Sequence, residues 1–161
     1  MGSDTTKSVE VCSRLMAALF AISTYFQFDD PDWYFWIPLY MSACVVNLVE
    51  MSSRIRKLAK IALWLGGFLF LKVVMEDFLD GIAGFWSLDM RERVVREKFG
   101  SGLVICSMFL QLEYSCFPNY PSKLPKYGMP ILVGVAYGLS FGFFVYYRAE
   151  MRYDLNQSHR L

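Results

Sequence analysis

Five stretches of mainly apolar residues, separated by shorter polar stretches, follow one another along the chain. They lie at 11–28, 33–51, 58–74, 99–117 and 128–147, and each has 17 to 20 residues. About 20 residues of α-helix are needed to cross a hydrocarbon core of about 30 Å. The pattern therefore predicts an all-α integral membrane protein, a bundle of about five transmembrane helices that forms a single membrane domain over 1–161.

The stretch at 99–117 is the least apolar of the five. Its uniformly apolar part is only 103–110, and Gln111, Glu113 and Ser115 follow it. A helix that other helices enclose tolerates such residues better than a helix that faces lipid. We therefore expect five spans, with four as the alternative if this stretch does not cross the membrane.

The connections between these stretches differ in character. The turn at 29–32 holds Pro31, which cannot continue a helix, and Asp32, which can cap the helix that follows. The connection at 76–98 is predicted to be interfacial at first and then a charged helical extension that runs into the fourth span. The connection at 117–130 has four prolines and is predicted to be stiff and non-helical.

Composition and charge support a membrane location. Hydrophobic residues make up 55% of the chain and charged residues 19%, against roughly 25% charged in a typical soluble domain. The net charge of +1 gives no electrostatic basis for nucleic-acid binding. With five spans, each side of the membrane receives eight Lys and Arg residues, so the positive-inside rule is tied. Only the turn at 29–32, which lacks Lys and Arg, favours a cytosolic N-terminus.

Small residues recur at every fourth position in the first and last spans. The last span has Gly134, Gly138 and Gly142 on one stripe, and the first has Ser13, Ala17 and Ala21. Small side chains let two membrane helices approach closely. We expect these stripes to hold spans one and five together within the monomer, and a homodimer seam is the alternative.

A few polar side chains near the ends of the spans are candidates for chemistry. Glu10 and Arg14 are spaced to form an ion pair across one helical turn, as are Lys72 and Glu76. Interfacial pairing is the simpler interpretation. The alternative is an ion or proton relay, which would require convergence of the four residues Glu50, Lys72, Glu76 and Glu113.

Three carboxylates, Asp29, Asp30 and Asp32, stand within four residues and form a weak candidate for a cation site, since hard cations prefer oxygen ligands. His159 is the only histidine, which argues against histidine-based metal sites and nucleophiles. No cofactor is expected. The N-terminal Met1–Thr6 fits the loose myristoylation pattern at Gly2.

The sequence resembles the transmembrane protein 220 family. The resemblance rests on Leu15-Met16-Ala17-Ala18, Phe20-Ala21, Gln27, the Asp29-Asp30-Pro31-Asp32 turn, Trp36 and Tyr40, and returns at Arg96-Glu97, Ser101–Ile105 and Glu150–Arg152. Asp29 departs from the family, which has asparagine at that position. The resemblance implies a multi-pass helical membrane protein and implies no activity.

The function expected from these observations is a non-catalytic, structural or interaction role within the bilayer. Its partners would be membrane lipids and other membrane proteins or a second copy of the chain. A small ion, proton or solute carrier that uses the four relay residues is the first alternative. An enzyme that acts on lipid headgroups, with a cation held at the turn at 29–32, is the second.

Overall fold

A computed structural model describes residues 2–28, 31–80, 93–116 and 123–158, and five α-helices fill most of these ranges. In chain order they are α1 (Gly2–Phe26), α2 (Trp33–Leu48), α3 (Ser53–Asp80), α4 (Arg93–Cys116) and α5 (Lys123–Ser158). Three of them are long and apolar enough to cross a membrane, over Lys7–Phe26, Ser53–Leu79 and Lys123–Tyr146, and α2 is a shorter apolar helix. The prediction of an all-α bundle is confirmed.

Successive helices run in opposite directions. Arg56, near the start of α3, donates a hydrogen bond to the hydroxyl of Ser115, near the end of α4, over 2.7 Å. Lys72, near the end of α3, reaches Asp32, which immediately precedes α2. The helices α1, α3 and α5 therefore begin at one end of the bundle, called the N-terminal end, while α2 and α4 begin at the far end.

The helices form a closed ring in which α4 is the most enclosed. Each helix packs against its neighbours in sequence, α1 also packs against α5, and α2 reaches α4 across the ring. Eleven residues of α4 are buried, more than in any other helix among the side chains that the structure describes. Enclosure explains how α4 accommodates its polar residues without lipid contact.

The core of the bundle is built on a stack of aromatic rings. Tyr40 lies between Phe20 of α1 and Trp36 of α2, with ring centroids 6.2 and 6.0 Å away and interplanar angles of 23°. Met16 and Leu39 are fully buried beside them. The stack fixes how α1 and α2 pack, because large flat side chains leave few alternative arrangements.

Two predicted connections are shorter than expected. Helix α3 continues to Asp80, so the start of the predicted connection at 76–98 is helical, while 81–92 lie outside the described residues. The prediction of a non-helical connection as far as Pro130 is wrong, because α5 begins at Lys123. Pro125 falls in the first turn of α5, where a backbone N–H group has no acceptor within the helix, so the N–H that proline lacks costs no hydrogen bond. Pro130 lies inside α5, and membrane helices tolerate such an interruption.

The predicted contact of α1 and α5 through their small residues is also wrong within the monomer. A methyl group added at Gly134, Gly138 or Gly142 would meet no atom within 4 Å. The two helices do pack together, but through the buried side chains of Val9, Cys12 and Met129. The Tyr137 hydroxyl also donates a hydrogen bond to the carbonyl oxygen of Leu15 over 2.8 Å. The glycine stripe is turned away from the bundle.

On the α1 side, Ser13 and Ala17 are buried and Ala21 is exposed. Ser13 accepts a hydrogen bond from Gln111 of α4, not a contact from the glycines. The spacing of small residues identified a helix face correctly, but it could not tell how that face is rotated relative to the other helices.

Candidate functional site

Seven charged side chains come together at the far end of the bundle. Four are carboxylates and three are cations, and they join the start of α2 to the end of α3 and the start of α4. This charged cluster consists of Asp32, Lys72, Glu76, Asp77, Arg93, Glu97 and Lys98.

The length of α3 explains why charges collect at this end. Its 28 residues rise about 42 Å at about 1.5 Å per residue, which exceeds the hydrocarbon thickness of about 30 Å. If Ser53 lies near one membrane boundary, Lys72 lies near the other and Glu76 lies beyond it. Charged residues placed there avoid the cost of entering lipid.

The outer part of the cluster is centred on two cations. Lys72 donates a 2.8 Å hydrogen bond to Asp32 and lies 4.0 Å from Glu76. The Arg93 guanidinium lies 3.2 Å from Glu76 and 3.9 Å from Asp32. Each of the two carboxylates therefore faces both cations, which links the turn before α2, helix α3 and helix α4.

Asp32 occupies the N-cap position of α2, but its side chain makes no capping hydrogen bond. The carboxylate turns to Lys72 because an ammonium is a stronger partner than a backbone N–H group. The hydrogen bond from Lys72, with the nearby charges of Lys72 and Arg93, holds the pKa of Asp32 below its usual range despite partial burial. Asp32 therefore stays ionised and fixes the start of α2 on α3.

The inner part of the cluster is shielded from solvent. Lys98 of α4 donates a 2.6 Å hydrogen bond to Asp77 of α3, and their side chains are 10% and 4% exposed. Glu97 is 2% exposed and lies 3.5 Å from Arg93, one turn earlier in α4. Breaking a buried ion pair leaves an uncompensated charge, so Asp77 and Lys98 fix the position of α3 along α4.

A second polar group, the polar network, lies in the other half of the bundle and links α1, α2 and α4. It consists of Ser13, Asn47, Ser107 and Gln111, all buried. Asn47 exchanges two hydrogen bonds with Ser107, at 2.9 and 3.1 Å. Gln111 donates to Asn47 over 3.0 Å and to Ser13 over 2.7 Å. These contacts satisfy polar groups that would otherwise be costly in an apolar interior.

The residues that carry the family resemblance lie between and around these two groups. Trp36 is fully buried, and neither its indole N–H nor the buried Oε1 of Gln27 has a hydrogen-bond partner among the described residues. The Tyr40 hydroxyl is pressed against α4 at Gly100. Pro31 and Asp32 form the turn before α2. Asp29 and Asp30 lie outside the described residues.

The four predicted relay residues do not converge. Lys72 and Glu76 belong to the charged cluster at the far end. Glu50 is exposed just after α2, and Glu113 is half-buried in the last turn of α4, both at the N-terminal end. The prediction of a single relay through these four residues is wrong, because α2 and α4 end on the side of the bundle opposite to the end of α3.

The predicted cation site at the turn before α2 includes Asp29 and Asp30, which lie outside the described residues, so that only Asp32 of the three carboxylates is described. Asp32 is held by Lys72 and lies beside Arg93, and these positive charges oppose the binding of a metal ion. Within the described ranges no three His, Cys, Asp or Glu side chains come together as metal ligands.

Sequence reasoning paired Lys72 with Glu76 but missed Asp32 as its closer partner, and it missed the Asp77–Lys98 pair altogether. Neighbours one helical turn apart are visible in a sequence, as the confirmed Glu10–Arg14 pair shows. Helical spacing does not show which residues pair when the two partners are 40 residues apart in the sequence. The available signal was the number of charges at both ends of the 76–98 connection, which suggests mutual neutralisation but not the pairing.

Comparison with known proteins identifies one family. The model described as "Transmembrane family 220, helix" matches residues 19–113, which is more than half of the chain. The matched range includes the aromatic stack, the polar network apart from Ser13, and the whole charged cluster. No solved structure matches the chain.

Proposed function

The chain belongs to transmembrane family 220, and from that premise we propose that this multi-pass membrane protein has a non-catalytic, structural or interaction role within the bilayer. The proposal rests on how the buried polar and charged side chains of the bundle are partnered. They bind one another across helices and thereby hold the bundle together.

The polar network and the charged cluster both connect helices in this way. In the polar network, Asn47 and Gln111 direct their amide groups at each other and at neighbouring hydroxyls. In the charged cluster, Lys72, Arg93 and Lys98 each lie within 4.0 Å of a carboxylate. A carrier needs polar groups that exchange partners along a shared path, whereas these fix helices relative to one another. The outer faces of the helices are then the surfaces left for function.

Helix α5 offers the clearest surface for an interaction. Gly134, Gly138 and Gly142 form a stripe that is open on the outside of the bundle. Each glycine in a helix interior costs about 1 kcal/mol relative to alanine, and a face that only contacts lipid gains nothing in return. The stripe therefore supports a second membrane helix as the partner, in another copy of this chain or in a different membrane protein.

A pull-down from native membranes, with chemical cross-linking and mass spectrometry, tests this role. The variant Gly138→Leu fills the centre of the stripe, and Gly67→Leu in α3 is the matched control, because a methyl group added at Gly67 also meets no atom within 4 Å. We expect a specific cross-linked protein with the wild type and with Gly67→Leu, and its loss with Gly138→Leu. Recovery of no membrane protein, or equal recovery with both variants, would contradict the role.

We propose further that the N-terminal end of the bundle faces the cytosol. The turn at 29–32, at the far end, carries no Lys or Arg. Positive residues are retained on the cytosolic side during insertion, so a connection that lacks them is the easiest to translocate.

A further inference from the structure

The two ends of the bundle differ in how their described basic side chains are partnered and exposed. At the far end, Lys72, Arg93 and Lys98 are paired with carboxylates of the charged cluster. At the N-terminal end, eight basic side chains are exposed: Lys7, Arg14, Arg54, Arg56, Lys57, Lys60, Lys123 and Lys126. Only three acidic side chains are described near them, at Glu10, Glu50 and Glu113. Among the side chains that the structure describes, exposed basic groups are therefore more numerous at the N-terminal end than at the far end, where Arg96 is the only exposed one.

The exposed charge is most concentrated on one face of α3. Arg54, Lys57 and Lys60 follow each other at intervals of three residues, which places them on one side of the helix. All three are exposed, and none of them forms an ion pair with another described residue. This cationic stripe begins in the first turn of α3, near the membrane boundary.

Large apolar side chains continue the same face towards the middle of the membrane. Trp64, one turn after Lys60, is 82% exposed, and Ile61, Phe68 and Leu71 are exposed around and beyond it. Arg54 and Trp64 are ten residues apart, or about 15 Å along the helix. The face therefore carries cations at its outer end and an indole and other apolar groups deeper in the membrane, which is the polarity profile of a phospholipid from headgroup to acyl chain.

We propose that this face of α3 binds an anionic phospholipid. The cations of Arg54, Lys57 and Lys60 contact the phosphate and the negatively charged headgroup, and the acyl chains lie along Trp64 and Phe68. An acidic protein segment would match the cations but not the apolar continuation into the membrane. The proposal requires only that α3 spans the bilayer, and it is independent of the partner proposed for α5.

Quenching of Trp64 fluorescence tests the proposal on the full chain. The protein is reconstituted in phosphatidylcholine nanodiscs that contain a small equal fraction of either acyl-brominated phosphatidylserine or acyl-brominated phosphatidylcholine. Trp64→Phe supplies the signal of the other tryptophans, which is subtracted. We expect stronger quenching by the anionic lipid, reflecting an enrichment of roughly five-fold for each cation that meets a headgroup, and a smaller difference at high salt.

Two charge variants sharpen the test. The triple variant Arg54→Gln, Lys57→Gln, Lys60→Gln removes the charges and should make the two lipids quench equally. The exchange variant Arg54→Lys, Lys57→Arg, Lys60→Arg keeps the charges and should retain the preference.

Equal quenching by the two lipids in the wild type would overturn the proposal without recourse to any variant. An unchanged preference in the glutamine variant would also overturn it. So would displacement of the anionic lipid by a soluble poly-glutamate peptide at equal charge, since that result would identify an acidic protein segment as the better occupant.

Discussion

Gly100 permits the closest approach between α4 and the aromatic stack, and Gly100→Ala therefore measures how tightly the core is packed. An added methyl group would overlap the Tyr40 hydroxyl and would lie 3.1 Å from the ring carbon Cζ. Tyr40 has little freedom to move away, because it is 3% exposed and its ring is stacked between Phe20 and Trp36.

A control variant two residues further along α4 separates this overlap from the effect of alanine on the helix itself. A methyl group added at Gly102 meets no atom within 4 Å. Both substitutions gain about 0.5–1 kcal/mol from the higher helix propensity of alanine, and only Gly100→Ala also overfills the core, which costs about 1–3 kcal/mol. The propensity gain cancels in the comparison, so Gly100→Ala should be less stable than Gly102→Ala by about 1–3 kcal/mol.

Reversible unfolding of the full chain in mixed micelles, with increasing fractions of a denaturing detergent, measures this difference through tryptophan fluorescence. Adding Tyr40→Phe to Gly100→Ala should restore part of the loss, since it removes the overlapping oxygen and leaves the 3.1 Å contact. Equal stability of the Gly100 and Gly102 variants would refute the packing described for α2 and α4.

Three further results are expected. Lys98→Met should destabilise the bundle by about 3–5 kcal/mol because it leaves Asp77 buried without its ammonium partner. The double variant Lys98→Met, Asp77→Leu should recover most of the lost stability in the same unfolding assay, and no recovery would contradict a stabilising Asp77–Lys98 ion pair. Asn47→Ala should cost about 1–2 kcal/mol by opening the polar network, and an unchanged unfolding midpoint would contradict this. Lys72 lowers the pKa of Asp32 in the folded state, so the stability that Asp32 contributes should be complete above about pH 3.8 and should disappear as the pH falls through the lowered pKa. The difference in thermal midpoint between the wild type and Asp32→Asn should therefore shrink over that pH range. A difference that grows on acidification would show the opposite pKa shift.

The sequence was sufficient for the elements of this fold because the membrane imposes a strong constraint. A chain segment in lipid must satisfy its own backbone hydrogen bonds, so a long apolar stretch has few alternatives to a helix. The expectation that an enclosed fourth helix tolerates polar residues agrees with the burial of Gln111 and Ser107. Proline was the exception, because Pro125 marked the first turn of α5 and not the end of a loop.

The candidate site was less predictable because it depends on residues distant in sequence. Helical spacing predicted Lys72 beside Glu76, but the 2.8 Å partner of Lys72 is Asp32, on a different element. In the same way, the interval between Gly134 and Gly138 defines a stripe on α5 but not its direction relative to α1. Periodicity describes a single helix, whereas rotation and register are set by the side chains of several helices at once.

The prediction of five spans requires α4 to cross the bilayer inside the bundle, although it is not among the three long apolar helices. Protease protection of epitope tags at the two ends of the chain, in sealed membrane vesicles of known sidedness, tests it most directly. Five crossings place the two tags on opposite sides, with the N-terminal tag in the cytosol. Two tags that are cleaved from the same side would contradict five crossings, because they would require an even number of crossings.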